Sequence, residues 1–152
     1  MSAVSQNFLP NLSRKIKDKQ YSGFKNNILY LSLFSIVLGL TFVIFSVFWG
    51  EVFLGFVYGP EYAEYSDVLI IMSVAILVSF VGWIYDTGLM ALRYISIQPK
   101  VSLVSLIISV LISFILVEKY GIYGVTFTLI IANVIQLLLR MYFLHRRLTR
   151  LN

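Results

Sequence analysis

The alternation of apolar and polar positions divides the chain into two parts, a polar segment over residues 1–25 and an apolar segment over residues 26–152. The apolar segment holds four long runs, at residues 28–50, 68–89, 101–117 and 123–142. At 1.5 Å per residue the first run covers about 35 Å, enough to cross a hydrocarbon core of about 30 Å with some tilt. The pattern predicts an all-α fold, a polytopic membrane bundle with four transmembrane helices.

The polar N-terminal segment has apolar and basic residues interleaved at roughly helical spacing. The apolar ones are Phe8, Leu9, Leu12 and Ile16, and the basic ones are Arg14, Lys15, Lys17 and Lys19. This pattern predicts a basic amphipathic helix on a membrane surface, which connects to the first span. A solvated basic tail is the alternative interpretation.

The composition narrows the class of protein. Hydrophobic residues make up 59% of the chain and charged residues 12%, whereas soluble domains have about 25% charged residues. The chain has no Cys and one His, which excludes disulfides and metal sites built from Cys or His clusters. It also has no Gly-rich phosphate loop and no GxSxG motif, so neither an enzyme nor a bound cofactor is predicted.

The distribution of basic residues predicts the orientation. Eleven of the twelve Lys and Arg residues lie before the first run, between the second and third, or at and beyond the C-terminal end of the fourth. The other two connections contain Lys119 alone, and the stretch FVYGPEYAEYSD carries Glu61, Glu64 and Asp67 without a base. The positive-inside rule therefore predicts that both termini are cytoplasmic and that this acidic stretch lies outside. Because the basic residues flank apolar runs and do not line one face, nucleic-acid binding is not predicted.

Each apolar run carries small or polar residues at helical spacing. They are Ser32, Ser35, Gly39, Ser46 and Gly50 in the first run; Ala75, Ser79, Gly82 and Asp86 in the second; Ser102, Ser105, Ser109 and Ser113 in the third; and Gly124, Thr128, Ala132, Gln136 and Arg140 in the fourth, with Asn133 beside them. Such stripes predict faces at which membrane helices pack closely and form hydrogen bonds. A polar translocation path is the second interpretation, and Ser105, Ser109, Asn133 and Gln136 lie deep enough in the runs to line it.

Two ionisable residues in the runs are further candidates for that path. Asp86 lies within an apolar region, where ionisable groups are costly and often functional, although its position is near the predicted cytoplasmic end of its helix. Arg93 follows on the same predicted helical face and is a candidate partner. Arg140 is expected to snorkel to the membrane interface, with a place in a cavity as the alternative.

Several short motifs occur in a characteristic order. They are Pro10-Asn11-Leu12-Ser13 in the basic connector, Tyr58-Gly59-x-x-Tyr62 at the acidic turn, Leu92-Arg93 and Gln98-Pro99-Lys100 in the second loop, and Gly121-Ile122-Tyr123-Gly124-Val125 in the last hairpin. In this order they resemble the C-terminal part of the polysaccharide biosynthesis proteins, the Wzx-like oligosaccharide flippases of the multidrug/oligosaccharidyl-lipid/polysaccharide exporter superfamily.

The resemblance implies a transporter and not an enzyme. Such a protein moves an undecaprenyl-pyrophosphate-linked oligosaccharide across the bacterial inner membrane by alternating access between two helical lobes. The implied partners are membrane lipid, the lipid-linked oligosaccharide, and either a missing N-terminal lobe or a second copy, since this chain resembles only the last four spans of the second lobe. On this interpretation the chain is incomplete by itself, and the substrate path would involve Asp86, Arg93, Ser105, Ser109, Asn133, Gln136 and Arg140.

Two other classes of protein fit the same pattern. One is a self-standing four-helix protein, either a small exporter that acts as a dimer or a GtrA-like carrier of lipid-linked sugar. A small exporter normally needs a carboxylate at the centre of the membrane, and Asp86 is away from the centre. The other is an assembly subunit, held to further membrane proteins through its Ser- and Gly-rich faces.

Overall fold

The computed structural model describes the backbone of residues 3–150 and the side chains of residues 10–150. Over this range the chain folds into five α-helices and a short 3-10 helix, Pro60–Tyr65. The α-helices are α1 (Ala3–Lys17), α2 (Tyr21–Val57), α3 (Ser66–Ala91), α4 (Ile97–Tyr120) and α5 (Ile122–Thr149). Helices α2 to α5 are long and apolar enough to cross a membrane. The predicted fold class, four membrane helices preceded by a basic amphipathic helix, is confirmed.

The helices are longer than the apolar runs that predict them. Helix α2 has 37 residues and therefore measures about 55 Å, well beyond the hydrocarbon thickness of about 30 Å. It includes polar residues on both sides of the apolar run, such as Lys25 and Glu51. Hydropathy marks only the part of a helix that lipid surrounds, whereas the backbone hydrogen bonds continue into the polar flanks. The predicted division of the chain after residue 25 remains a prediction.

The four long helices pack in the order α2, α3, α5 and α4. Helix α3 contacts α2 on one side and α5 on the other, and α4 packs principally on α5. Helix α1 contacts α2 and α3 at one end of the bundle, near the start of α2 and the C-terminal end of α3. Helices α3 and α5 are therefore the inner helices of the row, each with a long helix on both sides.

Small residues face inward, and large apolar residues face outward. The predicted stripe of α2, from Ser32 to Gly50, is buried at all five positions. On the opposite face, side chains such as Phe34, Phe48 and Phe56 are exposed, the last at 91%. This is the reverse of a soluble core, and it suits helices that are surrounded by lipid and held together by close backbone approach.

A core of large apolar side chains is present at the end of the bundle that carries α1. It joins Leu12 of α1 and Phe24 of α2 to the C-terminal ends of α3 and α5 and the start of α4, and Leu12 and Phe24 are fully buried. This packing anchors α1 to the bundle and favours the amphipathic-helix interpretation over a solvated tail. The predicted apolar positions Phe8 and Leu9 lie outside the described side chains.

The two connections at the other end are tight. Gly59 precedes the 3-10 helix with φ at +115°, and Pro60 occupies its first turn, a position that suits proline. Glu61, Glu64 and Asp67 are exposed there. Gly121 alone separates α4 from α5, with φ at +55° and ψ at −127°, a conformation that favours glycine.

Candidate functional site

Polar side chains meet along the seam between α3 and α5. Ser79 of α3 donates a 2.8 Å hydrogen bond from Oγ to Oδ1 of Asn133 on α5. The amide Nδ2 of Asn133 in turn lies 3.4 Å from the backbone carbonyl of Ala75 and donates to it. The side chain of Asn133 is thus held at both of its polar atoms by the neighbouring helix, and it faces the predicted polar stripe of α3.

About two helical turns further along the same seam, Asp86 pairs with Arg140. Nε of Arg140 lies 3.3 Å from Oδ1 of Asp86, and the two side chains are 13% and 27% exposed, respectively. The contact does not have hydrogen-bond geometry, and Oδ1 has no hydrogen-bond donor among the described residues. The contact is an ion pair in which one carboxylate oxygen retains an unused acceptor position.

Two further residues, Gly82 and Gln98, lie next to the ion pair. Gly82 lies one turn before Asp86, and a Cβ atom at that position would be 3.0 Å from Nη1 of Arg140. The absence of a side chain at Gly82 therefore leaves the space that the guanidinium occupies. Gln98, at the start of α4, donates from Nε2 to the backbone carbonyl of Asp86 at 3.5 Å, which ties the start of α4 to the end of α3.

The structure corrects two expectations about charged residues. Arg93 is not the partner of Asp86: α3 ends at Ala91, and Arg93 lies exposed in the following turn with φ at +54°. The prediction that Asp86 and Arg93 share one helical face is therefore wrong, because the helix ends between them. Arg140 does not snorkel away from the bundle, since its guanidinium lies against Asp86 on the inner seam.

The remaining predicted path residues occupy different positions. Ser105 is buried between α4 and α5 and donates a 3.1 Å hydrogen bond to the carbonyl of Ala132. Ser109 instead donates to the carbonyl of Leu106 in its own helix, and it lines an open groove of about 730 Å³ between α4 and α5. Gln136 is half-buried on α5 between the levels of Asn133 and Arg140. The structure thus gathers Asp86, Asn133 and Arg140 on one seam and Ser105 beside it; a role for any of them in a substrate path stays a prediction.

Most buried hydroxyls are satisfied within their own helix. Ser46, Ser73 and Thr87 each donate to a backbone carbonyl three or four residues earlier, at distances of 2.7 to 2.9 Å. Such hydroxyls need no partner from another helix. Their burial makes them packing residues. The Ser79–Asn133 and Asp86–Arg140 contacts, in contrast, join different helices and provide polar groups that can form hydrogen bonds with a ligand.

We expect that replacing Asn133 with Leu will destabilise the α3–α5 seam by about 0.6 to 2 kcal/mol, the range found for hydrogen bonds between membrane helices. The substitution removes both contacts with α3 and leaves the hydroxyl of Ser79 without its acceptor. Unfolding of the purified protein in mixed detergent micelles measures the change. Ser109→Ala is the matched control, since Ser109 bonds only to its own helix, and an equal loss there would contradict the assignment.

The chain is similar to a known protein of polysaccharide biosynthesis. Over 145 residues, which are 95% of this chain, it is 32% identical to the capsular polysaccharide biosynthesis protein CapF of Staphylococcus aureus. The chain spans 37% of the length of that relative. No protein-family profile matches the chain, and no solved structure matches it. The similarity supports the polysaccharide biosynthesis part of the sequence resemblance.

Proposed function

We propose that this chain is part of a flippase that moves a lipid-linked oligosaccharide across the bacterial inner membrane during surface polysaccharide biosynthesis. The observation that carries the proposal is the 32% identity to CapF over 95% of the chain. The substrate class is an oligosaccharide on an undecaprenyl-pyrophosphate type of lipid. The protein moves this substrate without making or breaking a bond, so it acts as a transporter and not as an enzyme.

The polar seam supports a transport role because its groups suit a sugar. The amide of Asn133, the hydroxyl of Ser79 and the carboxylate of Asp86 can each exchange a hydrogen bond with a sugar hydroxyl. Oδ1 of Asp86 already has an unused acceptor position within the described residues. In our proposal, the Asp86–Arg140 pair closes the seam between α3 and α5 in one state of the transporter and opens in another.

The packing order of the helices supports a role alongside a further set of helices. Helices α2 and α4 lie at the two ends of the row, and each packs extensively on one other long helix of the bundle. Their outer faces carry large exposed apolar side chains, among them Phe48 on α2 and Phe114 on α4. Since the chain spans 37% of the length of CapF, we propose that the partner is the part of such a protein that this chain does not match.

Complementation tests the proposal. In a strain whose capsule flippase is deleted, the chain is expressed alone, or together with the part of CapF that it does not match. We expect surface polysaccharide to return when both parts are present and lipid-linked oligosaccharide to accumulate inside when either is missing. Export by the chain alone would favour the self-standing four-helix protein, and failure of the pair beside a working full-length CapF would reject the flippase assignment.

We also expect both termini to be cytoplasmic and the acidic turn to be outside. Alkaline phosphatase fused after Tyr62 should be active, because that enzyme folds on the outer side of the inner membrane, and the same fusion after Gln98 should be inactive. The prediction follows from the basic residues near α1, between α3 and α4, and at the end of α5. An inactive fusion at Tyr62 beside an active one at Gln98 would reverse the topology.

A further inference from the structure

The C-terminal end of α5 forms a small basic pocket with the turn that follows α3. Its lining consists of Tyr94, Phe143, Arg146, Arg147 and Arg150, and its volume is about 110 Å³. This is enough for several water molecules and so for one phosphate group. The pocket lies at the end of a membrane helix, at the same end of the bundle as α1 and its basic residues.

Arg147 is held in this pocket by an aromatic ring. Its guanidinium carbon lies 5.3 Å from the centre of the Tyr94 ring, within the distance of a cation–π interaction. Its Nε is buried and has no acceptor among the described residues. A buried donor of this kind is costly unless an acceptor satisfies it, and an oxygen atom in the pocket would be such an acceptor.

Among the described residues, no acid pairs with the positive charges of the pocket. In the described part of the chain, the ion pairs are Arg14 with Asp18 and Arg140 with Asp86, and neither involves the pocket. Arg146 lies in the last turn of α5 and Arg150, four residues later, directly follows the helix with helical φ and ψ, a spacing at which like charges repel. Basic residues favour the C-terminal end of a helix dipole, but that effect requires neither convergence on a pocket nor contact with an aromatic ring.

We propose that Arg146, Arg147 and Arg150 bind the phosphate of an anionic phospholipid in the surrounding membrane leaflet. Guanidinium groups match phosphate oxygens with paired hydrogen bonds, which the ammonium group of Lys does not. Basic pockets beside membrane helices on the cytoplasmic side are suited to anionic headgroups. The neighbouring Tyr142 and Phe143 place aromatic rings at the same level, as expected near a membrane interface.

Native mass spectrometry of the full chain in detergent micelles tests this site. The micelles contain phosphatidylglycerol or phosphatidylcholine, and the number of retained lipids is counted. We expect one phosphatidylglycerol to be retained in preference to phosphatidylcholine. Changing the three arginines together to Lys keeps the charge but removes the forked geometry and the buried Nε, and should weaken retention about tenfold.

A matched variant separates this site from general charge attraction. Lys17, Lys25 and Lys100 are exposed at the same end of the bundle, so their joint change to Gln removes three charges and leaves the pocket intact. We expect that variant to keep the retained lipid. The proposal is overturned if the Lys variant of the pocket binds as the wild type does, or if the Gln control loses the lipid equally. Inorganic phosphate that abolishes retention at millimolar concentration would also overturn it, by making free phosphate the ligand.

Discussion

Replacing Asp86 with Asn is expected to cost about 2 to 3 kcal/mol of unfolding free energy. The change leaves the charge of Arg140 on the inner seam without its partner, and removing one member of a buried pair typically costs about 3 to 5 kcal/mol. The side chains of Arg140 and Asp86 keep 13% and 27% of their exposure, respectively, so the expected value lies at or below the lower end of that range. Reversible unfolding in mixed detergent micelles measures it.

A double-mutant cycle isolates the contribution of the pair. Arg140→Met removes the other charge, and the double variant D86N/R140M should lose less stability than the two single losses summed, since neither charge is left unpaired. Asp67→Asn is the matched control, an exposed acid at the other end of α3. We expect a change there of no more than about 0.5 kcal/mol. Strict additivity of D86N and R140M would show that the pair does not couple α3 to α5.

Changing Gly124 to Ala is expected to open the hairpin between α4 and α5. A Cβ atom on Gly124 would collide with the carbonyl group of Leu116 and lie 2.7 Å from the backbone nitrogen of Val117. Because these are backbone atoms, no rotation of a side chain relieves the contact. We expect a net loss of about 1 to 3 kcal/mol, even though Ala favours a helix over Gly by up to about 1 kcal/mol.

Gly50→Ala is the control for the hairpin prediction. Its Cβ atom would meet Leu69 at 3.4 Å, an ordinary side-chain contact, so stability should stay level or rise slightly. Unfolding measurements in the same micelles compare the two variants directly. A stable Gly124→Ala protein, equal to the Gly50 variant, would show that α4 and α5 can separate without cost.

The sequence predicts best those features that depend on the residue pattern of one helix, such as which of its faces is buried. The burial of the stripe from Ser32 to Gly50 could be predicted from the sequence because small residues in an uncharged apolar run allow the close approach of another helix. The stripe of α4 is covered only in part: Ser105 is buried, but Ser102 is exposed. Helix α4 packs principally on α5, so one neighbour covers only some of its polar positions.

The pairing of charges depends on which helices are neighbours, and sequence order does not determine that. Asp86 lies close in sequence to Arg93, but α3 ends before Arg93 and packs on α5, not principally on the next helix, α4. The partner is therefore Arg140, 54 residues further along. The contact of Tyr94 with Arg147 is not predictable from the sequence for the same reason, since it also joins the turn after α3 to α5.

The single-residue connection at Gly121 has a consequence for biogenesis. Helix α4 ends at Tyr120 and α5 begins at Ile122, so only one residue connects them. The two helices should therefore leave the translocon together, as one hairpin. The ribosome makes α3 first, so when α5 enters the bilayer Asp86 is already there to receive Arg140. An unpaired Arg in an isolated helix costs about 2.5 to 3.5 kcal/mol to insert at the membrane centre, and less toward the helix ends, where Arg140 lies. The order of synthesis thus gives α5, the most polar of the four spans, its partners before it has to leave water.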